Sequence, residues 1–161
     1  MIQSVNPAPT DETDGLPMPK RIWAVISVGF ALCMSVLDVN IINIVLPTLS
    51  HDFGTSPAVT TWIINGYQLA IVVSLLSFSA LGEIIGYRKV YLSGIGLFCI
   101  TSLICALSDS FWTLTIARIF QGFSASAITS VNTAQLRYIY PKSQLGRGMG
   151  INAMVVAISA A

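Results

Sequence analysis

The sequence predicts an all-α, polytopic membrane helix bundle, and three observations carry that reading. Of its 161 residues, 54% are hydrophobic and only 9% charged, against about 25% charged in an average soluble domain. The apolar residues fall into runs of span length separated by short polar segments. Lysine and arginine gather in alternate loops, the pattern of cytoplasmic loops in membrane proteins. A formal net charge of +1 leaves no basic footprint for nucleic acid, so the expected surroundings are a lipid bilayer.

Residues 1–21 contain Pro7, Pro9, Pro17 and Pro19 among Asp11, Glu12 and Asp14, and end in Lys20 and Arg21. They read as a disordered cytoplasmic tail. The acidic start and the long apolar run behind it do not fit a cleaved signal peptide, so the first span is expected to stay attached. That span covers about 22–46, long enough to cross with some tilt, and Pro47 is expected to close it. Residues 50–57 form a polar loop. The second span covers about 58–81, with Trp62 near its outer end as an interfacial anchor. A short loop at 82–89 leads to the third span, about 90–107, and Ser108 to Ser110 make a tight connection. The fourth span, about 111–136, is the most polar; its run of small residues (Gly122, Ser124, Ala125, Ser126, Ala127) suits close helix packing. After a loop at 137–147, a fifth apolar run covers 148–161. As a helix it reaches only about 21 Å, short of the roughly 30 Å hydrocarbon core, so this span reads as incomplete and the sequence as a fragment.

Sidedness follows from the cations. Lys20, Arg21, Arg88, Lys89, Arg137, Lys142 and Arg147 lie on one side, and the loops at 47–57 and 108–110 have none. The N-terminus is therefore expected in the cytoplasm.

Two charges remain inside the membrane. Asp38 lies nine residues before Pro47, about 13 Å below the outer surface, and Arg118 seven residues after Phe111, about 10 Å below it. Burying one such charge costs roughly 2.5–3.5 kcal/mol on insertion scales, so these groups usually face a cavity or a partner. Similar depth and opposite sign make them candidates to pair. Asn40, Asn43 and Pro47 share a different face of the first helix, at i, i+3, i+7 spacing. Asn65 and Gln68 on the second helix are expected to form interhelical hydrogen bonds, and Tyr67 to serve as an anchor or packing group. Gly94 and Gly96 on the third helix read as a packing signal. His51, beside Asp52 in a loop, reads as a solvated surface group. The cysteines (Cys33, Cys99, Cys105) lie in apolar runs without Cys-x-x-Cys spacing and read as small core or lipid-facing residues, so no metal site is expected. No Walker-type phosphate loop, HExxH or nucleophile elbow occurs, and the chain does not read as an enzyme.

Four motifs in order carry a family resemblance. Leu37, Asp38, Asn43, Leu46 and Pro47 match a first-helix pattern L-D-x-T-x-x-N-x-A-L-P, with Asn40 for the Thr and Val45 for the Ala. Trp62, Tyr67, Gln68 and Leu69 match on the second helix. The pattern G-x-L-A-D-R-x-G-R-K aligns onto Ser79 through Arg88. There Leu81 and Gly86 match and Glu83 supplies the acid, while Ser79, Gly82, Ile84 and Tyr87 depart; Arg88 and Lys89 keep the cationic end. On the fourth helix, Leu114, Arg118, Gln121, Gly122 and Ala125 match L-x-x-x-R-x-x-Q-G-x-G-A, with Ser124 for a Gly. The chain thus resembles the N-terminal part of a major facilitator superfamily transporter, and in particular its fourteen-helix drug:proton antiporter branch.

The resemblance implies part of the N-terminal six-helix half of a major facilitator fold, with four complete spans plus a truncated fifth. It implies proton-coupled efflux of small amphipathic or cationic compounds across the inner (plasma) membrane, driven by the proton gradient without a cofactor. The implied partners are the substrate, protons and the missing C-terminal part of the same transporter. Asp38, Arg118, Asn40, Asn43, Gln68 and Gln121 would form the proton-coupling and substrate path, and Glu83, Gly86, Arg88 and Lys89 a gating loop. A metabolite symporter or facilitator of the same superfamily fits the same residues. A non-transporting four-helix membrane adaptor would explain the short length without truncation.

Overall fold

The computed structural model describes residues 15–160 and consists of helices joined by short turns, with no strand among the described residues. The helices are α1 (Met18–Asp52), α2 (Pro57–Thr60), α3 (Trp62–Ile85), α4 (Tyr87–Ala106), α5 (Phe111–Ile139) and α6 (Leu145–Ala160), with a single 3₁₀ turn at Lys142–Gln144 before α6. Helices α1, α2–α3 taken together, and α4 are long and apolar enough to cross a membrane by length and composition. Their outward faces carry bare hydrophobes such as Trp23, Phe30, Ile44, Val72, Leu76 and Ile104, the surface that lipid would cover.

Helix α5 is the exception and the axis of the bundle. Its 29 residues cover a length sufficient to span a bilayer, yet Thr, Ser, Asn and Gln interrupt its apolar residues throughout. It tolerates them because protein rather than lipid surrounds it. It packs along α3 and α4 and also touches α1 and α6. Close approach comes from its small residues. A Cβ on Gly122 would lie 2.5 Å from the Tyr67 carbonyl oxygen of α3, so only glycine fits this crossing. Ser126, fully buried, donates its hydroxyl to the Ile71 carbonyl at 3.2 Å. On the other side, a Cβ on Gly94 of α4 would meet Ala127 Cβ at 3.1 Å, whereas Gly96 faces open space. Of the two expected packing glycines, only Gly94 packs.

Several element ends differ from expectation. Pro47 lies inside α1, which continues to Asp52. A proline removes one amide donor and crowds the carbonyl four residues back, and membrane helices re-satisfy such a defect locally; α1 ends instead where Phe53 donates to Leu49 and Gly54, at φ +59°, turns the chain. The expected loop at 82–89 is only Gly86. Its φ of +100° is a conformation open to glycine, and it reverses the chain between α3 and α4 in one residue. Tyr87, Arg88 and Lys89 are thus the first turn of α4, not loop. Likewise α5 runs on to Ile139 and α6 begins at Leu145.

Residues 1–14 of the expected tail lie outside the described residues. The remainder does not behave as a tail. Leu16 donates its N–H to the Ile139 carbonyl at 3.2 Å. Arg21 donates Nε to the Leu16 carbonyl and Nη1 to Gln144 Oε1, both at 3.1 Å. This staple fixes the entry of α1 against the end of α5.

Candidate functional site: a carboxylate clasped by the central helix

Arg118 and Gln121 lie one turn apart on α5, so their side chains share a face, and that face meets α1 at Asp38. Arg118 Nη1 donates to Asp38 Oδ2 at 2.7 Å. Gln121 Nε2 donates to Asp38 Oδ1 at 3.2 Å. Each carboxylate oxygen thus has its own donor from α5. The Arg118 and Asp38 side chains are only 8% and 15% exposed, and Gln121 is fully buried. The two intramembrane charges read from depth and sign do meet, across 80 residues of chain.

Gln121 is held from behind as well. Its Oε1 accepts from the Cys105 thiol of α4 at 3.5 Å, which sets the amide so that its NH₂ points at Asp38. Nothing in the sequence marks this role for Cys105, because a cysteine in an apolar run looks the same whether it faces lipid or a polar neighbour. Arg118 Nε is buried and has no hydrogen-bond partner among the described residues. The guanidinium therefore keeps one unused donor inside the bundle.

The other path candidates separate. Asn40 points away from the pair and donates Nδ2 to the Ser159 carbonyl of α6 at 3.1 Å, an interhelical tie. Asn43 and Gln68 are exposed. So is Asn65, and neither Asn65 nor Gln68 forms the expected interhelical hydrogen bond among the described residues, because their faces of α3 turn outward from α5. Tyr67, on the inward face, is 4% exposed and packs at the Gly122 crossing, not at an interface. Glu83, Arg88 and Lys89 are exposed and form no ion pair with one another, and Gly86 supplies the reversal itself. His51 and Asp52 approach at 3.6 Å with both side chains open to solvent.

Membrane-length apolar helices around a clasped carboxylate–guanidinium pair are the make-up of an integral membrane protein, where such interior charges mark ion and substrate paths. Residues 28–161 match the Major Facilitator Superfamily, and the chain belongs to that family. It is 51% identical over 153 residues to "Uncharacterized transporter YebQ" of Escherichia coli (strain K12), covering 95% of this chain and 34% of that protein. It is 32% identical over 140 residues to "Riboflavin transporter RibZ" of Clostridioides difficile (strain 630), covering 86% and 31%. It is also 32% identical over 153 residues to "Tetracenomycin C resistance and export protein" of Streptomyces glaucescens, covering 95% and 28%. The chain spans about a third of the length of these curated relatives.

Proposed function

We propose that the complete transporter to which this chain belongs is a proton-coupled exporter of small amphipathic or cationic compounds, with Asp38 as the coupling carboxylate. The observation that carries the proposal is the clasp. An ionised carboxylate accepts from both Arg118 and Gln121, whereas a protonated one must turn one oxygen into a donor and gives up half of that arrangement. The guanidinium stays charged throughout, so protonation of Asp38 leaves a buried cation seeking another acceptor. Exchange of a proton for substrate thereby biases the contact between α1 and α5, the kind of two-state element that alternating access requires. The proton gradient supplies the energy and no cofactor takes part.

Under this reading the protein is a multi-pass component of the inner (plasma) membrane with its N-terminus in the cytoplasm, an orientation supported by the one-sided cations. The fourteen-helix drug:proton antiporter branch is the assignment we favour, on the four motifs and on the export named for the tetracenomycin relative. The riboflavin relative supports a second reading, transport of a planar metabolite through the same site. Membership of a transporter family leaves the adaptor reading without support.

The test is a flux assay in proteoliposomes carrying the complete protein. A panel of cationic dyes and riboflavin is presented with and without an imposed pH gradient, and an internal dye records proton movement. Asp38→Asn, which keeps size but removes the ionisable group and one of the two acceptor oxygens, is expected to abolish uphill, pH-driven flux while insertion is unchanged. Uphill flux of normal size in that variant places coupling elsewhere. Uptake of riboflavin with exclusion of cations would favour the second reading.

A further inference from the structure

A cavity of about 800 Å³ opens at the Lys/Arg-rich end of the bundle, between the start of α1, the start of α4 and the last turns of α5. It is distinct from the Asp38 clasp, which contributes nothing to its lining. Its wall is mainly apolar, formed by residues such as Ala24, Val28, Leu92 and Ile139, while Lys20 and Arg88 stand on its rim. Gln135 also lines it, and the Nε2 of that side chain is buried with no hydrogen-bond partner among the described residues. An amide donor in this position is costly unless something accepts from it.

We infer that this cavity binds an anionic phospholipid from the leaflet at the basic end. The chemistry is matched part by part. Two cations at the rim suit a phosphodiester, and each basic residue near a membrane surface adds to attraction for anionic lipid. Gln135 Nε2 is itself closed off in the wall, and a rotation of this lining side chain would bring its unused donor to the phosphate or the ester carbonyls. The apolar wall takes the first part of an acyl chain, which a free phosphate would leave unfilled. The exposed rings of Tyr87 and Tyr138 on the same rim are placed as headgroup-level anchors. The site also explains why Arg88, without an ion-pair partner among the described residues, sits at the first turn of a helix, where the backbone dipole disfavours cations: the charge serves a ligand and not the helix.

The inference stands apart from the transport reading, because it concerns lipid retention and not flux. Native mass spectrometry of the complete protein, released from nanodiscs of equimolar phosphatidylglycerol and phosphatidylcholine, tests it. One phosphatidylglycerol per protein is expected to be retained in preference. Lys20→Gln with Arg88→Gln should lower the preference for phosphatidylglycerol by roughly thirty-fold. Gln135→Leu, nearly the same shape, should lower it with the charges intact. Arg137→Gln with Arg147→Gln removes as much charge from the same end outside the cavity and should leave retention unchanged. Thermal unfolding in phosphatidylcholine alone shows which variants are folded, and Gln135→Leu keeps the test open if the double variant is not. Equal retention of the two lipids overturns the inference, as does equal loss in the two charge pairs. Displacement of the lipid by equimolar inorganic phosphate would also overturn it, since it would mean that the acyl chain contributes nothing.

Discussion

Gln121 donates to Asp38 at 3.2 Å while its own carbonyl oxygen is engaged by the Cys105 thiol. One amide on α5 thus links α1 to α4 through the middle of the bundle. The arrangement predicts that Gln121 acts by orientation as well as by contact. Gln121→Leu, of similar volume, leaves Asp38 with one donor and the Cys105 thiol without its acceptor. Loss of a buried hydrogen bond to a charged group costs about 1.5–3 kcal/mol. The complete protein should unfold correspondingly earlier in a detergent melt. Cys105→Ser, which keeps a donor near Gln121 Oε1, should lose much less. Equal losses in the two variants would show that the amide is not being positioned from α4.

The ion pair behind that amide makes a sharper demand. Removing Arg118 alone leaves a carboxylate in the bundle interior without its cation, and breaking a buried pair from one side costs about 3–5 kcal/mol. Removing both charges costs far less, because no uncompensated ion remains. Arg118→Leu should therefore destabilise the protein strongly, and Asp38→Leu with Arg118→Leu should recover most of the loss while transport stays abolished. A double variant as unstable as the sum of the single ones would contradict a direct pair at 2.7 Å. Arg118→Lys keeps the charge and loses the planar fork, so it should keep stability better than flux.

The pairing of Asp38 with Arg118 was legible in the sequence because lipid makes a charge conspicuous: depth from helical rise and opposite sign were enough to join residues 80 positions apart. The long apolar helices α1, α3 and α4 were legible for the same reason. What the sequence concealed has a common cause, that neighbours and not composition decide the outcome. Pro47 looked like a stop, yet α1 passes through it. Asn65 and Gln68 looked like interhelical glue, yet they face away from α5. Asn40 shares a motif and a helix with Asp38 but lies about 200° round from it, and the partner it finds there, α6, is not written in its spacing. Cys105 and Gln135 carried no signal at all, since their roles come from a thiol meeting an amide and an amide left unmet.

The α3–α5 crossing predicts a steep contrast between two glycines. Gly122→Ala would place a methyl group 2.5 Å from the Tyr67 carbonyl oxygen, and backbone cannot move aside as a side-chain tip can. Overpacking of this kind costs about 1–3 kcal/mol. Because Gln121 and Arg118 ride on the same helix, displacement of α5 should also weaken flux. Gly96→Ala meets nothing within 4 Å and should be silent in both assays. The comparison is read from melting temperature and initial transport rate, and a damaging Gly96→Ala would mean that another element of the complete protein packs there.

Asn40 offers the last separation. It belongs to the same motif as Asp38, but its amide donates to the Ser159 carbonyl at 3.1 Å and so ties α1 to α6. Interhelical hydrogen bonds in membranes are worth about 0.6 kcal/mol on average, and Asn40→Ala should cost about that in stability. It leaves both donors to Asp38 in place, so uphill flux should persist and its dependence on the pH gradient should be unchanged. Asn43→Ala removes an exposed polar group with no partner among the described residues, and should leave the melt unaltered. If Asn43 lines the substrate path, the change appears instead as a raised KM with kcat retained. A collapse of pH-driven flux in Asn40→Ala would place Asn40 in the coupling machinery after all, against its geometry.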